Sequence, residues 1–96
     1  SSTAGSRREL KENIKVFERD ALDILNSTEI VSFNYKADRE KTPKIGFIAD
    51  DTDSAIAGKA HDVMDVTNCI GVLIKAIQQL SARITELEGE LNGNRI

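Results

Sequence analysis

The chain has 96 residues, a length that fits a single domain and excludes a large multidomain enzyme. Hydrophobic residues make up 40% and charged residues 30% of the composition, which excludes both a disordered chain and a membrane protein. The net charge of −3 argues against nucleic acid as a partner. No apolar run is long enough to span a membrane, so we also expect no membrane partner.

The chain is poor in bulky core material, with three Phe, one Tyr and no Trp. A domain this short buries only about two-thirds of its unfolded surface, so we expect it to need partner chains. The single cysteine, Cys69, excludes an internal disulfide.

Composition divides the sequence into a linker or cleavage-site lead-in (1–6), an α+β head (7–56), a long helix (57–92) and a short tail (93–96). Within residues 7–26, apolar residues recur at helical spacing and predict one or two short amphipathic helices. An extended start to this region stays open. The apolar residues concerned are Leu10, Ile14, Phe17, Ala21, Leu22 and Leu25.

Two short segments predict a β-hairpin. Residues 30–35 are rich in β-branched and aromatic side chains, and Val31, Phe33 and Tyr35 alternate on one face. A polar loop over 36–44, which contains Pro43, separates them from a second strand over 45–49.

The last third of the chain carries heptads in which every a and d position is apolar. The a positions are Val63, Ile70, Ile77, Ile84 and Leu91, and the d positions are Val66, Leu73, Leu80 and Leu87. A helix of about 30 residues is roughly 45 Å long. Because the small head cannot cover that length, these residues predict an oligomer interface, with copies of the chain or with another part of the assembly, rather than the core helix of a monomer.

Charges beside the heptads favour a parallel arrangement. A g residue meets the e residue five positions on in the neighbouring chain, which pairs Arg83 with Glu88 and Glu90 with Arg95. Apolar residues at g and e, Cys69, Ala76 and Ile74, widen the apolar face in the first half of the helix. That width fits three strands, or two strands with a head packed on them.

Metal ligands are sparse in the sequence. His61 and Asp65 share one face if both are helical, but two ligands do not make a site. The carboxylates at 50, 51 and 53 lack the glycine and glutamate of a calcium loop, and Asp53 or Ser54 is suited to capping a helix. Cys69 lies within the heptads and is interpreted as a small buried hydrophobe. We predict no metal site and no cofactor.

Ser6 and Lys11 place a hydroxyl and an amine five residues apart. A lysine activates a serine only when desolvation or nearby positive charge keeps the amine neutral, and Arg7, Arg8 and Lys15 supply such charge. Two alternatives stay open on this pattern: a basic helix start, and an anion or nucleotide site built from Arg7, Arg8, Lys11 and Lys15.

Four blocks in order resemble the C-terminal intramolecular chaperone domain of phage tailspikes, tail fibres and neck appendages, the self-cleaving endosialidase-type family also called peptidase S74. The resemblance covers about residues 6–90. The blocks are Ser-Arg-Arg-Glu-Leu-Lys-Glu-Asn-Ile (6–14), Val-Ser-Phe-Asn-Tyr-Lys (31–36), Ile-Gly-Phe-Ile-Ala-Asp (45–50) and Leu-Ile-Lys-Ala-Ile-Gln-Gln-Leu-Ser-Ala-Arg-Ile (73–84).

The resemblance implies a serine-lysine endopeptidase that acts once on its own chain. By position, Ser6 matches the family's nucleophile and Lys11 its base, and the scissile bond is Gly5-Ser6. Asn13 is implied to donate to the oxyanion or orient the backbone, and Glu9 to hold Lys11 or Arg8 or to assist proton transfer. Where the family commonly has Asp after the serine, this sequence has Arg7.

The resemblance also implies a parallel homotrimer that helps the β-rich upstream part of the same polypeptide to fold and then cuts itself free. It places the chain in the host cytoplasm during phage assembly, and it implies that the domain is released from the mature virion. A trimerisation module without catalysis is the main alternative function.

Overall fold

A computed structural model of the protein describes residues 5–93, so residues 1–4 of the predicted lead-in and Arg95 of the predicted Glu90–Arg95 pair lie outside the described residues. The elements in chain order are a 3₁₀ turn (Arg8–Leu10), helix α1 (Ala21–Asn26), strands β1 (Val31–Phe33) and β2 (Lys44–Gly46), a second 3₁₀ turn (Ala49–Asp51), and helices α2 (Ser54–Ala57) and α3 (Val66–Gly93). The predicted combination of a hairpin, short helices and a long C-terminal helix is confirmed.

Residues 11–20, which we call the arm, form neither helix nor strand. Of the one or two short helices predicted within 7–26, α1 forms, and it follows the extended start that stayed open. No helix forms at Leu10, Ile14 and Phe17 despite their helical spacing. Their side chains are 67%, 54% and 40% exposed, so within this chain they lack the packing surface that stabilises a short amphipathic helix. Asn13, at φ 53°, lies outside the right-handed helical region and interrupts the run.

Helix α1 is fixed at its start by two side chains. The Asp20 carboxylate accepts a hydrogen bond from the Asp23 N–H at 3.1 Å, an ordinary N-cap. The Gln79 Oε1 of α3 accepts the N–H groups of Ala21 and Leu22 at 3.0 and 3.2 Å. Gln79 therefore ties the first turn of α1 to the long helix.

The two strands pair antiparallel in the register Val31↔Gly46, Ser32↔Ile45 and Phe33↔Lys44. Each strand has three residues and is shorter than predicted. A Cβ at Gly46 would lie 3.3 Å from the Phe33 ring, so the glycine gives that ring room. In the connecting loop, the Asp38 carboxylate accepts the N–H groups of Glu40 and Thr42 at 3.0 and 2.9 Å.

The long helix begins at Val66 rather than at residue 57. Gly58, at φ 79°, ends α2, and His61, at φ 53°, turns the chain again, so residues 58–65 separate two helices. The Asp65 Oδ1 then caps α3 by accepting the Asn68 N–H at 2.9 Å. Val63, the first predicted a position, precedes the helix and packs beside Gly58.

The core lies where α1 and α2 pack on the first half of α3, and its buried apolar residues are Ala21, Ile24, Ile56, Ala57, Val72 and Ala76. Cys69 packs against the edge of this core. The g positions Cys69 and Ala76 thus face the head, so the apolar width predicted from them reflects packing within the chain. No helix in residues 5–93 is long and apolar enough to cross a membrane.

Candidate functional site

Ser6 and Lys11 are in direct contact. The Lys11 Nζ donates a hydrogen bond to the Ser6 Oγ at 2.8 Å. This is the distance over which an amine and a hydroxyl exchange a proton. The pair that the sequence singled out is therefore brought together within one chain.

A single 3₁₀ turn creates this contact. The Leu10 N–H donates to the Arg7 carbonyl at 3.1 Å and the Lys11 N–H donates to the Arg8 carbonyl at 3.0 Å. Five residues of extended chain would separate the two Cα atoms by about 17 Å, well beyond the reach of a lysine side chain. The turn at Arg8–Leu10 shortens that separation so that the amine reaches back to the hydroxyl.

Both side chains of the pair are exposed in the single chain. A lysine acts as a general base only after it has lost its proton, and removal from water favours that neutral form. The single chain therefore aligns the two reacting groups without shielding them from solvent.

The residue before the serine is packed closely by the same turn. A Cβ built on Gly5 would lie 2.7 Å from the Leu10 Cδ1. Glycine thus lets the Leu10 side chain lie over the backbone that precedes Ser6. A larger residue at position 5 requires Leu10 to move.

The basic cluster is partly neutralised. The Glu9 carboxylate lies 3.7 Å from the Arg7 Nε, and both side chains are exposed. Glu9 is thus placed beside Arg7 rather than beside Arg8 or Lys11, the partners expected for it. Arg8 and Lys15 are exposed on the same segment.

The backbone conformation at position 13 favours asparagine. Its φ of 53° lies in the left-handed region, which asparagine tolerates better than most residues. Within residues 5–93 its side chain makes no hydrogen bond to Ser6 or Lys11. Its role toward an oxyanion stays a prediction.

The other candidate groups are occupied in structural contacts. The His61 Nδ1 lies 2.8 Å from the Thr52 carbonyl oxygen, and His61 and Asp65 do not share a helix, since α3 starts after both. Asp53 caps α2 as predicted, accepting the Ala55 N–H at 2.9 Å. No three His, Cys, Asp or Glu side chains of the described chain group as metal ligands would.

Cys69 is placed as a packing residue. Its Sγ lies 4.0 Å from the Ile56 carbonyl oxygen. Burial, and secondly the charge of Asp65, raise the pKa of the Cys69 thiol. A raised pKa disfavours the thiolate, the reactive form, so this thiol is a poor nucleophile.

The a and d positions of α3 form an exposed apolar stripe, which we call the seam. Each of its side chains is between 46% and 64% exposed in the single chain. The seam consists of Val66, Ile70, Leu73, Ile77, Leu80, Ile84, Leu87 and Leu91.

Two polar contacts that hold the head together were missed by the sequence analysis. Gln79 accepts from the start of α1 and donates from its Nε2 to the Arg19 carbonyl at 3.3 Å. Arg19 in turn binds Asp53 through both carboxylate oxygens. The residues next to Gln79 and Arg19 in the sequence do not indicate these contacts, because the partners lie far away along the chain.

Comparison with known families places the first part of the chain in a family. The model of the peptidase S74 family, described as chaperone of endosialidase, matches residues 6–61, more than half of the 96 residues. The match begins at Ser6 and ends before α3. No curated protein and no solved structure matches the chain.

Proposed function

The chain belongs to the peptidase S74 family of endosialidase chaperones, and from this we propose that it trimerises, assists the folding of an upstream phage fibre, tailspike or neck appendage, and then cuts itself free. The observation that carries the proposal is the 2.8 Å hydrogen bond between Lys11 and Ser6. It lies at the first residues of the segment that matches the family. We further propose that this occurs in the host cytoplasm during virion assembly and that the mature particle lacks the domain.

The seam supports assembly through α3. Its side chains lie on a face that the head leaves uncovered, and burying a half-exposed Leu or Ile contributes about 1 kcal/mol. After Val66, the first helical d position, Ile occupies a and Leu occupies d as far as Leu87, and Leu91 fills the last a position. In a parallel assembly Arg83 faces Glu88 of the next chain.

Assembly of this domain would assist folding of the upstream part by raising the effective concentration of the upstream chains. Three heads joined by their helices hold three upstream chains close together and in the same register, which turns their association into an intramolecular event. After the cut, the fibre no longer depends on the equilibrium stability of this small domain and persists through its own slow unfolding.

The proposed cut is an acyl shift followed by hydrolysis. Neutral Lys11 Nζ takes the Ser6 Oγ proton as the oxygen attacks the Gly5 carbonyl carbon. The Gly5–Ser6 C–N bond then breaks, the amine nitrogen takes the proton back from Lys11, and Gly5 is left as an ester on Ser6 Oγ. Water cleaves that ester into a Gly5 carboxylate and the free Ser6 hydroxyl. Because Ser6 attacks the carbonyl directly before it, no separate substrate site is required.

We propose that cleavage requires the trimer. Lys11 must be neutral to act, yet its side chain and that of Ser6 are exposed in one chain. The nearby arm also exposes Ile14 and Val16, and the turn before it exposes Leu10; a neighbouring chain would cover all three. Covering the arm would remove water from the pair and favour the neutral amine.

The test is the intact mass of a longer chain that carries its native upstream segment, measured under conditions where sedimentation shows a trimer. We expect two fragments from the parent, with a new N-terminus at Ser6, and a single uncut mass from Ser6→Ala and from Lys11→Ala. Lys59→Ala is the matched control, since it removes one exposed lysine outside the basic cluster and should be cut like the parent.

The outcomes separate the two readings of the domain. If the parent is trimeric but stays uncut, self-cleavage is excluded and the domain is a trimerisation module. Cutting that survives Ser6→Ala would show that another group is the nucleophile.

A further inference from the structure

An open groove runs along α3 at the edge of the head, where it borders the core residue Val72. It has a volume of about 400 Å³, and Phe17 of the arm and Ala55 of α2 form one wall. On α3 the groove is lined by the e and b positions Thr67, Gly71, Ile74 and Gln78, and by the f and c positions Asn68, Lys75 and Val72. Ile74 is 53% exposed, so the single chain leaves apolar surface in this groove uncovered.

Gly71 forms an open part of the groove wall. A Cβ built there would have nothing within 4 Å. Glycine in a helix interior costs about 1 kcal/mol relative to alanine, so a helical glycine without a local role is unfavourable. The backbone is thus left accessible for close approach by a group that is not part of the same chain.

The heptad positions indicate which part of a neighbouring chain lies beside the groove. The head packs on the c and g side of α3, at Cys69, Val72, Ala76 and Gln79. The groove begins beside the head at Val72 and extends to the e and b side over the same length of helix. In a parallel assembly the g side of each helix borders the e side of the next. The head of one chain therefore lies beside the groove of its neighbour at the same height.

Charge is compatible with this arrangement. Among residues 5–93, Lys75 is the only charged residue that lines the groove. The α1 side of the head exposes Asp23 and carries the capping carboxylate of Asp20. A head that approaches the groove thus brings acidic groups toward an amine.

We infer that the groove at Gly71 is a docking site for the head of the adjacent copy of this chain, so that the assembly is held by a ring of head-to-groove contacts as well as by the seam. This inference rests on the trimer of the proposed function. Gly71 occupies an outer heptad position, which is exposed to solvent in a coiled coil without heads. In this arrangement Gly71 lies in the interface.

Two glycines of α3 provide a matched test. Gly71 is a b position and Gly89 an f position, and a Cβ on either has nothing within 4 Å in the single chain. Replacing each by glutamine raises helix propensity by the same amount. The full 96-residue chain of the parent, Gly71→Gln and Gly89→Gln is compared by sedimentation equilibrium, with circular dichroism to establish that each variant is helical.

We expect Gly71→Gln to raise the concentration at which half the chains associate by about tenfold or more, because a side chain forced into a packed contact is destabilising. Gly89→Gln should associate as tightly as the parent or more tightly. If Gly71→Gln loses helicity, Gly71→Ala and Gly89→Ala replace the pair, and alanine should strengthen association at position 89 only.

Equal association of the two variants, in a parent that is trimeric, would overturn the docking site and leave the proposed function intact. A parent that does not associate would instead refute the trimer, and the docking site with it.

Discussion

Arg19 and Asp53 join the arm to α2 through two parallel hydrogen bonds, from Nη1 to Oδ1 at 3.0 Å and from Nη2 to Oδ2 at 2.6 Å. The Asp53 side chain is only 24% exposed. This contact, with the Ala55 N–H that the same carboxylate accepts, lowers the pKa of Asp53 to about 2. One residue thus anchors the arm and caps α2.

The first prediction concerns acid stability. The pKa of Asp53 is lower in the folded chain than its ordinary value of 3.8, so the ion pair stabilises the fold above about pH 4 and loses this contribution as the pH falls toward 2. Asp53→Asn keeps the helix cap and removes the charge, so it should cost about 1 kcal/mol at neutral pH, given the partial exposure of Arg19.

The measurement is urea unfolding of the parent and Asp53→Asn at several pH values, with Arg19→Gln and the double variant completing a double-mutant cycle. The parent and Asp53→Asn should differ at pH 7 and converge near pH 2. A difference that stays constant over this range would show that the ion pair is not its source.

The second prediction concerns Gln79. Gln79→Ala leaves the first two N–H groups of α1 without their acceptor, so unfolding free energy should fall by about 1–2 kcal/mol. Glu86, the next c position along α3, is exposed and provides the control, because Glu86→Ala removes a side chain of the same length at the same heptad position and should shift stability by less than about 0.5 kcal/mol. Equal effects in thermal unfolding would contradict the capping role.

Local patterns predicted the hairpin and the long helix because those elements carry their signals in short stretches. Val31 and Phe33 alternate as a strand requires, and heptads extend over most of α3. The arm was not predicted uniquely, since Leu10, Ile14 and Phe17 have helical spacing but no surface within the chain to pack on. Helical spacing of apolar residues predicts a helix only where another surface packs against the apolar face, because that packing supplies most of the stability of a short helix.

The site was predictable only in part, for a related reason. The spacing of Ser6 and Lys11 is common in proteins, and the family resemblance gave it weight. Their contact depends on the 3₁₀ turn between them, which has no strong sequence signal. Gln79 and Arg19 act on residues far away in sequence, and no local pattern reports such contacts.

The third prediction tests the chemistry of the pair. Lys11→Arg retains a positive charge and a hydrogen-bond donor near Ser6, but a guanidinium does not lose its proton in proteins and cannot act as a base. Self-cleavage of the longer chain should therefore fall at least about 100-fold, the usual contribution of a general base. Cleavage by Lys11→Arg at the parent's rate, followed by intact mass over time, would assign the base to another group.

The last prediction links the seam to cleavage. Leu80 is a d position on the seam and Ala82 is an exposed f position two residues on. Leu80→Asp places a charge in the predicted interface and should convert the longer chain to monomers, because an unpaired buried charge is strongly disfavoured. Ala82→Asp adds the same charge outside the seam and should leave the trimer intact.

If the trimer supplies the shielding that Lys11 requires, Leu80→Asp remains uncut while Ala82→Asp is cut like the parent. Diluting the parent below its association range should likewise slow cleavage. A monomeric Leu80→Asp chain that cuts itself at the parent's rate would show that one chain contains the whole catalytic site.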